Sequence, residues 1–187
     1  MRKIIRIRTC RKLVLAVLIL SMIPILAISF YNHSSADDYA YGILTRHAWM
    51  QTHNLIALFA AVGKQVQTTY LTWQGTYAAV TLFSLQPAVF GEHWYFLVTW
   101  VLAGMFIFGN FYFFRVIFGQ IGGRKDIADI IAGVVTVFSM QTLPHALQSF
   151  YWWNGGSYYT LFYSLMLSQF AIYAQVIHSG KWLRIKS

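Results

Sequence analysis

Residues 13–30 read LVLAVLILSMIPILAISF, an apolar run of 18 residues without a charge. An α-helix of this length is about 27 Å long, close to the roughly 30 Å hydrocarbon core of a bilayer. The 187-residue chain is 58% hydrophobic and only 10% charged, whereas soluble proteins are about a quarter charged. The sequence therefore predicts a membrane protein whose first span is residues 13–30.

Three more segments are long and apolar enough to cross a bilayer: residues 94–114, 127–150 and 158–177. Together the four predict an all-α fold, a polytopic transmembrane helix bundle with four spans. Pro144 is expected to kink the third span near its outer end. The chain contains neither a repeat nor a low-complexity segment, so residues 1–187 are predicted to form a single transmembrane region.

The segment between the first two spans, residues 31–93, is too polar to be buried in lipid and too apolar for a free loop. Within it, apolar side chains recur at intervals of four, three, four and three residues, the period of one helix face. We therefore expect an amphipathic helix lying on the outer membrane surface. Its apolar positions are Val66, Tyr70, Trp73, Tyr77 and Val80.

The positions of the basic residues predict the orientation, because basic loops resist translocation. With four spans, every Lys and Arg except Arg46 and Lys64 falls on one side, including Lys181, Arg184 and Lys186 near the C-terminus. We thus predict a multi-pass protein of the bacterial cytoplasmic membrane with both termini cytoplasmic. The net charge of +9 is explained by this topology and by anionic membrane lipids. Nucleic acid is not an expected partner, because no soluble basic domain is present.

The N-terminus also has features of a signal peptide, with small residues at 34–36 after the apolar run. The run is longer than the 7–15 residues typical of a signal peptide, and further spans follow, so an uncleaved anchor is the preferred interpretation. Cys10 is the only cysteine. An intramolecular disulfide and a zinc site built from cysteines are therefore excluded.

Asp37 and Asp38 are adjacent, although the chain has only five acidic residues. One could be a general base or a metal ligand while the other orients it. In the alternative interpretation, Ser35 is a helix N-cap and both aspartates occupy the first turn, where the helix dipole favours negative charge. Both interpretations place the pair just after the first span, on the outer side.

Histidines on the predicted outer side could join the aspartates and Glu92 in a metal site, but their spacing matches no tight ligand motif. These are His33, His47, His53 and His93. Polar roles at the interface are the simpler explanation. The sequence therefore predicts no metal-ligand set.

Two segments combine aromatic rings with amides and glycines: residues 73–77 (WQGTY) and 151–159 (YWWNGGSYY). Such surfaces can stack on sugar rings and bind hydroxyl groups. Aromatic belts at a membrane interface have the same composition. The segments thus favour either carbohydrate binding or a membrane belt.

No charged residue falls in the middle of a predicted span, which weakens a transporter hypothesis. The sequence also contains neither a P-loop nor a dinucleotide fingerprint. A different alternative is a small non-enzymatic membrane subunit that assembles with partner helices. It would use a stripe of small and polar residues on the fourth span, a pattern suited to helix packing: Ser164, Ser168, Ala171 and Gln175.

Taken in order, Ser35-Ala36-Asp37-Asp38-Tyr39, Trp73-Gln74-Gly75-Thr76-Tyr77, Gln86-Pro87 and residues 151–159 resemble the N-terminal part of bacterial GT-C type glycosyltransferases. The family called domain of unknown function 6056 is the most similar. The resemblance implies sugar transfer from a polyprenyl-phosphate donor to a cell-envelope glycan or lipid on the outer face. GT-C enzymes generally carry many more spans, so the resemblance implies that this chain is part of a longer protein and is inactive alone.

In GT-C enzymes an acidic residue of the first outer loop serves the active site, which by position implies Asp37 or Asp38 as catalytic. Some members use a divalent metal beside it and others do not. Related sequences often have arginine where Thr76 stands, which weakens the expectation of a phosphate contact there. The residues that the resemblance implies for substrate binding are Tyr39, Trp73, Gln74, Gly75, Tyr77, Trp153, Asn154 and Gly155.

Overall fold

A computed structural model describes residues 2–179, and within that range it is all-helical without a strand. The predicted Lys181, Arg184 and Lys186 lie outside the described residues. Short 3-10 turns precede α5, and π-helical turns flank α7. The helices are α1 (Arg2–Ser29), α2 (Asp37–Thr52), α3 (Leu55–Thr72), α4 (Tyr77–Ser84), α5 (Leu97–Gln120), α6 (Lys125–Gln141), α7 (Trp153–Gly156) and α8 (Phe162–His178).

Three helical segments among the described residues are long and apolar enough to cross a membrane: Arg6–Ser29, Glu92–Gln120 and Trp153–His178. They correspond to three of the four predicted spans. The all-α prediction is confirmed, and the three apolar helices indicate a membrane protein. The remaining predicted span, residues 127–150, contains α6, which has 17 residues.

The predicted bounds of the third span are wrong, because α6 ends at Gln141 rather than at residue 150. Pro144 explains the early end. Its ring disfavours helical geometry at the preceding residue, and its nitrogen cannot donate a backbone hydrogen bond. Instead of a kink, the chain leaves the helix and forms the π-helical turn Leu147–Tyr151 before α7.

The predicted continuous amphipathic helix through residues 66–80 is also interrupted, because α3 ends at Thr72 and α4 begins at Tyr77. Gly75 lies in the break and has low helix propensity. Tyr70, Trp73 and Tyr77 of the apolar stripe are exposed, whereas Thr69 on another face is buried.

The backbone divides into two compact units. Of the described residues, the ion-pair unit contains 2–25, 103–144 and 161–179, and the aspartate unit contains 26–102 and 145–160. Helices α5 and α1 contribute residues to both units.

In the ion-pair unit, Asp129 accepts a hydrogen bond of 2.5 Å from Arg115 Nε and lies 3.6 Å from Arg11. Arg11 also contacts Asp126 at 2.8 Å. Because the side chain of Asp129 is only 3% exposed, these arginines offset the cost of its burial. The contacts join the first part of α1, the end of α5 and the start of α6.

Helices α5 and α8 approach closely at Gly109, opposite Ser164. Further along, Tyr112 OH donates to Gln175 Oε1 at 3.3 Å. Ser164 and Ala171 are fully buried. The predicted small-residue stripe of α8 is thus used for packing within the chain.

Gly109→Ala is expected to lower the free energy of unfolding by about 1–3 kcal/mol. The added Cβ would lie 2.9 Å from the Cα and carbonyl oxygen of Ser164, so helix backbone must shift. Gly104→Ala is the matched control on the same helix, since nothing lies within 4 Å of its Cβ position. In detergent, the midpoint temperature of thermal unfolding should be higher for Gly104→Ala than for Gly109→Ala. Equal midpoints would contradict this packing.

Candidate functional site

The aspartate pair begins α2, as the helix-start interpretation predicts, but Ser35 is not the N-cap. Ala36 occupies that position with φ +47° and makes no side-chain cap. A positive φ is costly for a non-glycine residue and persists where surrounding contacts enforce it. The side chain of Asp37 is exposed while that of Asp38 is completely buried, so the two carboxylates have different environments.

The carboxylate of Asp38 is a buried hydrogen-bond acceptor. Oδ2 accepts from Ser35 N at 3.2 Å and from the hydroxyl of Tyr95, and Oδ1 accepts from Asn154 N at 3.3 Å. Tyr95 OH in turn accepts from Trp153 N at 3.1 Å. One side chain therefore joins the segment after α1, the segment before α5 and the start of α7.

Gln86 and Trp153 extend this network. The Gln86 amide nitrogen donates to the Asp38 carbonyl oxygen, and Trp153 Nε1 donates to Leu82 O at 2.8 Å. Gly42 stands against the Gln86 amide, so a Cβ there would collide with it. Both bonds tie the start of α2 and the start of α7 to the region around the end of α4.

Burial raises the pKa of Asp38 above its ordinary value of 3.8. The hydrogen bonds from Tyr95, Ser35 and Asn154 act in the opposite direction, and the charge of Asp37 adds to the increase. Burial dominates because removing a carboxylate from water disfavours its charged form.

The raised pKa gives a testable pH dependence. The folded protein holds the Asp38 proton more tightly than the unfolded chain, so this contribution to stability is complete below pH 3.8 and is lost as pH rises through the folded pKa. As pH rises above 3.8, the free energy of unfolding of the wild type should therefore fall relative to that of Asp38→Asn. Thermal unfolding at a series of pH values measures the difference, and parallel curves would contradict it.

Asp37 belongs to a second surface on another side of α2. Tyr41 lies one turn further on, and Gln74 Nε2 donates to its hydroxyl at 3.2 Å. Burial raises the pKa of Tyr41, the Gln74 hydrogen bond lowers it, and the charges of Asp37 and Tyr158 raise it further. Asp37 is thus close enough to Tyr41 to act on it electrostatically.

Aromatic packing completes this surface. Phe83 packs between Tyr41 and Tyr158, with ring centroids 5.1 and 4.9 Å away, and Tyr158 OH lies 3.4 Å from Thr76 Oγ1. Residues from α2, the 73–76 break and the turn after α7 therefore meet. We call Asp37, Tyr41, Gln74, Thr76 and Tyr158 the hydroxyl surface.

A cleft of about 370 Å³ lies beside α2; we call it the Arg46 cleft. Arg46 and His47 supply its cationic and imidazole groups, while Ile43, Met50 and Val89 contribute apolar walls. It is also lined by Ser34, Asp38, Tyr39, Gly42, Gln86 and Ala88.

Charge at this cleft is partly paired. Arg46 contacts Glu92 at 2.9 Å, and Glu92 also accepts from Ser34 N at 2.6 Å. Oε1 of Gln86 is buried without a partner among the described residues, so it remains available as an acceptor. The cleft thus combines apolar walls with one cation and one unused polar atom.

The structure distributes the predicted site residues among the buried network, the hydroxyl surface and the Arg46 cleft, and leaves three of them in none of these. Asp38, Trp153 and Asn154 form the buried network, and Gly155 packs against Trp152 beside it. Asp37 and Gln74 belong to the hydroxyl surface, whereas Tyr39 lines the Arg46 cleft. Trp73 and Tyr77 are exposed, and Gly75 lies against the ring of Tyr70.

Sequence reasoning missed Tyr95, Tyr41 and Arg46 as site residues. Tyr95 fell near the start of the predicted span 94–114, and only its bond to Asp38 reveals its role. Tyr41 could have been found from its helical spacing to Asp37. Arg46 had a usable signal, since it was one of two basic residues on the predicted outer side.

The predicted outer histidines occupy separate positions. His33 Nδ1 lies 3.0 Å from Ser34 O, His53 packs on Trp49, and His93 packs on Trp94. Among residues 2–179, no three His, Cys, Asp or Glu side chains form a group that could hold a metal ion.

The fold and these surfaces define an all-helical protein with apolar helices of membrane-spanning length and a carboxylate network beside an exposed aspartate. Searches found no matching family model, no matching curated protein and no matching solved structure.

Proposed function

We propose that this chain forms part of a GT-C type glycosyltransferase of the bacterial cytoplasmic membrane. It transfers a sugar from a polyprenyl-phosphate carrier to a cell-envelope glycan or lipid on the outer face. The hydroxyl surface is the observation that supports this proposal. In this surface the exposed carboxylate of Asp37 acts electrostatically on Tyr41, which lies with an amide, hydroxyls and aromatic rings, the groups with which proteins bind sugars.

The two aspartates have different roles in this proposal. Both oxygens of Asp38 accept buried hydrogen bonds, so Asp38 positions the surrounding segments. Asp37 is exposed and acts as the general base. The acceptor hydroxyl attacks the anomeric carbon, its proton passes to Asp37, and the bond from that carbon to the phosphate oxygen breaks. The products are the glycosylated acceptor and polyprenyl phosphate.

The Arg46 cleft suits the phosphate and the first isoprene units of the donor. A guanidinium forms strong, directional hydrogen bonds to phosphate oxygens. The walls at Ile43, Met50 and Val89 suit a hydrocarbon chain. Asp38 and Tyr39, which follow Asp37 in the chain, also line this cleft.

We also propose four membrane crossings, with both termini cytoplasmic and the aspartates outside. The distribution of basic residues supports this orientation, because with four spans only Arg46 and Lys64 fall on the outer side. Helix α6 is about 26 Å long, within the range of a short span.

A small assembly subunit would need the α8 stripe to face a partner helix. Ser164 and Ala171 of that stripe are instead buried within the chain, and Gly109 lies against Ser164. The stripe therefore gives no support to the subunit alternative.

The proposal is tested in membranes that contain the full-length protein and a radiolabelled polyprenyl-phosphate monosaccharide. The expected result is loss of label from the donor and release of polyprenyl phosphate. A panel of common monosaccharide donors covers the unknown sugar. If no donor in the panel is consumed faster than in membranes without the protein, the proposed activity is wrong.

Arg46→Gln is expected to raise the KM for the donor about tenfold, because the variant loses one charge-assisted contact to the phosphate. Lys64→Gln is the matched control, because Lys64 is the other basic residue on the proposed outer side and lies on α3. Glu92→Gln removes the ion pair but keeps Arg46, and should leave KM within about threefold. An unchanged KM in Arg46→Gln would show that the donor phosphate does not bind in this cleft.

A further inference from the structure

A groove of about 420 Å³ lies in the ion-pair unit between the ends of α5 and α8. Its polar lining comes from Tyr112, Arg115, Gln120, Gln175 and His178. All of these residues belong to the ion-pair unit, and none is used in the proposed sugar transfer. The groove is therefore a separate candidate site.

Arg115 gives the groove a fixed cation. Its Nε donates to Asp129 at 2.5 Å, which holds the guanidinium, while the side chain is 45% exposed. Asp129 is shared with Arg11, so Arg115 is only partly neutralised. The ion-pair cluster that holds Arg115 contains three arginines (Arg11, Arg115, Arg124) and two aspartates (Asp126, Asp129), so positive charge remains.

Two amides add hydrogen-bond donors. The Gln120 side-chain nitrogen is buried and has no partner among the described residues. Gln175 accepts from Tyr112 OH through Oε1, so its amide nitrogen remains a donor. A guanidinium and two amide nitrogens are a lining that matches an anion with several acceptor oxygens.

The position of the groove favours a lipid headgroup. Its residues lie near Gln120 and His178, where two apolar helices of membrane-spanning length end. Exposed apolar side chains continue from it along both helices, Phe108 on α5 and Ile172 on α8. Basic sites between helices at the cytoplasmic boundary bind anionic lipid headgroups. We propose that this groove binds the phosphate of an anionic phospholipid, with the acyl chains along α5 and α8.

The test is binding of phosphatidylglycerol by the purified full-length protein in a neutral detergent, read out by native mass spectrometry. Wild type should retain phosphatidylglycerol at least about tenfold more tightly than phosphatidylcholine, and Arg115→Gln should lose about tenfold in affinity. Arg124→Gln is the matched control, because Arg124 pairs with Asp126 and does not line the groove. It should stay within about twofold of wild type.

Gln120→Leu provides a second variant that leaves every ion pair of the unit in place, and it should also weaken binding of phosphatidylglycerol. Inorganic phosphate at millimolar concentration distinguishes the source of the anion. Failure of phosphate to displace the lipid supports a phospholipid site, whereas full displacement would indicate a free-phosphate site and overturn the proposal. Equal lipid affinity in wild type, Arg115→Gln and Gln120→Leu would overturn it as well.

Discussion

Asp38→Ala is expected to lower the free energy of unfolding by about 3 kcal/mol. The change removes the acceptor for three donors: Ser35 N, Asn154 N and Tyr95 OH. Each buried donor that is left without a partner costs on the order of 1 kcal/mol or more. Thermal unfolding of the protein in a neutral detergent measures the loss.

Asp37→Ala is the matched control for this loss, since it makes the same change at the preceding, exposed residue. Its unfolding should stay within about 0.5 kcal/mol of wild type. Tyr95→Phe removes only the hydroxyl, which leaves Trp153 N without its acceptor, and should give an intermediate loss of about 1–2 kcal/mol. If Asp38→Ala and Asp37→Ala unfolded at the same temperature, the buried network would not stabilise the fold.

Asp37→Asn is expected to reduce sugar transfer by at least about 100-fold, the lower end of what a general base contributes. An amide has nearly the same shape as the carboxylate but cannot take the proton of the acceptor hydroxyl. Because Asp37 is exposed, the substitution should leave folding and membrane insertion unchanged. The initial rate of donor consumption at saturating donor measures the effect.

Tyr41→Phe is the control for a change of substrate binding on the same surface. It removes the hydroxyl that accepts from Gln74 while keeping the ring against Phe83. We expect a higher KM with kcat reduced by less than about tenfold, because in the proposed mechanism Tyr41 binds the sugar and does not take the proton. A loss of kcat equal to that of Asp37→Asn would contradict this division of roles.

The apolar runs were sufficient to predict helices α1, α5, α6 and α8, because hydropathy over about 20 residues reflects a strong physical constraint. The ends of the third span were not predicted, since a proline near the end of an apolar run can either kink a helix or terminate it. Here the helix terminates at Gln141. The break at residues 73–76 was not predicted either, because the apolar period continues through it, whereas α3 ends at Thr72.

The sequence identified the aspartate pair and several of its neighbours but could not separate their roles. Asp38 differs from Asp37 only through burial and through partners that are distant in the chain, Tyr95 and Asn154. Contacts of that kind depend on tertiary packing and leave no local pattern. Gln74 and Trp153 were predicted together, yet Gln74 bonds to Tyr41 and Trp153 lies in the buried network.

The central claim, that Asp37 is the general base of a sugar transferase, is tested most directly by the transfer rate of Asp37→Asn. The rate is measured in membranes where the variant and wild type have equal protein levels and equal unfolding temperatures. The account predicts donor consumption at no more than about one hundredth of the wild-type rate. Consumption at the wild-type rate would contradict it.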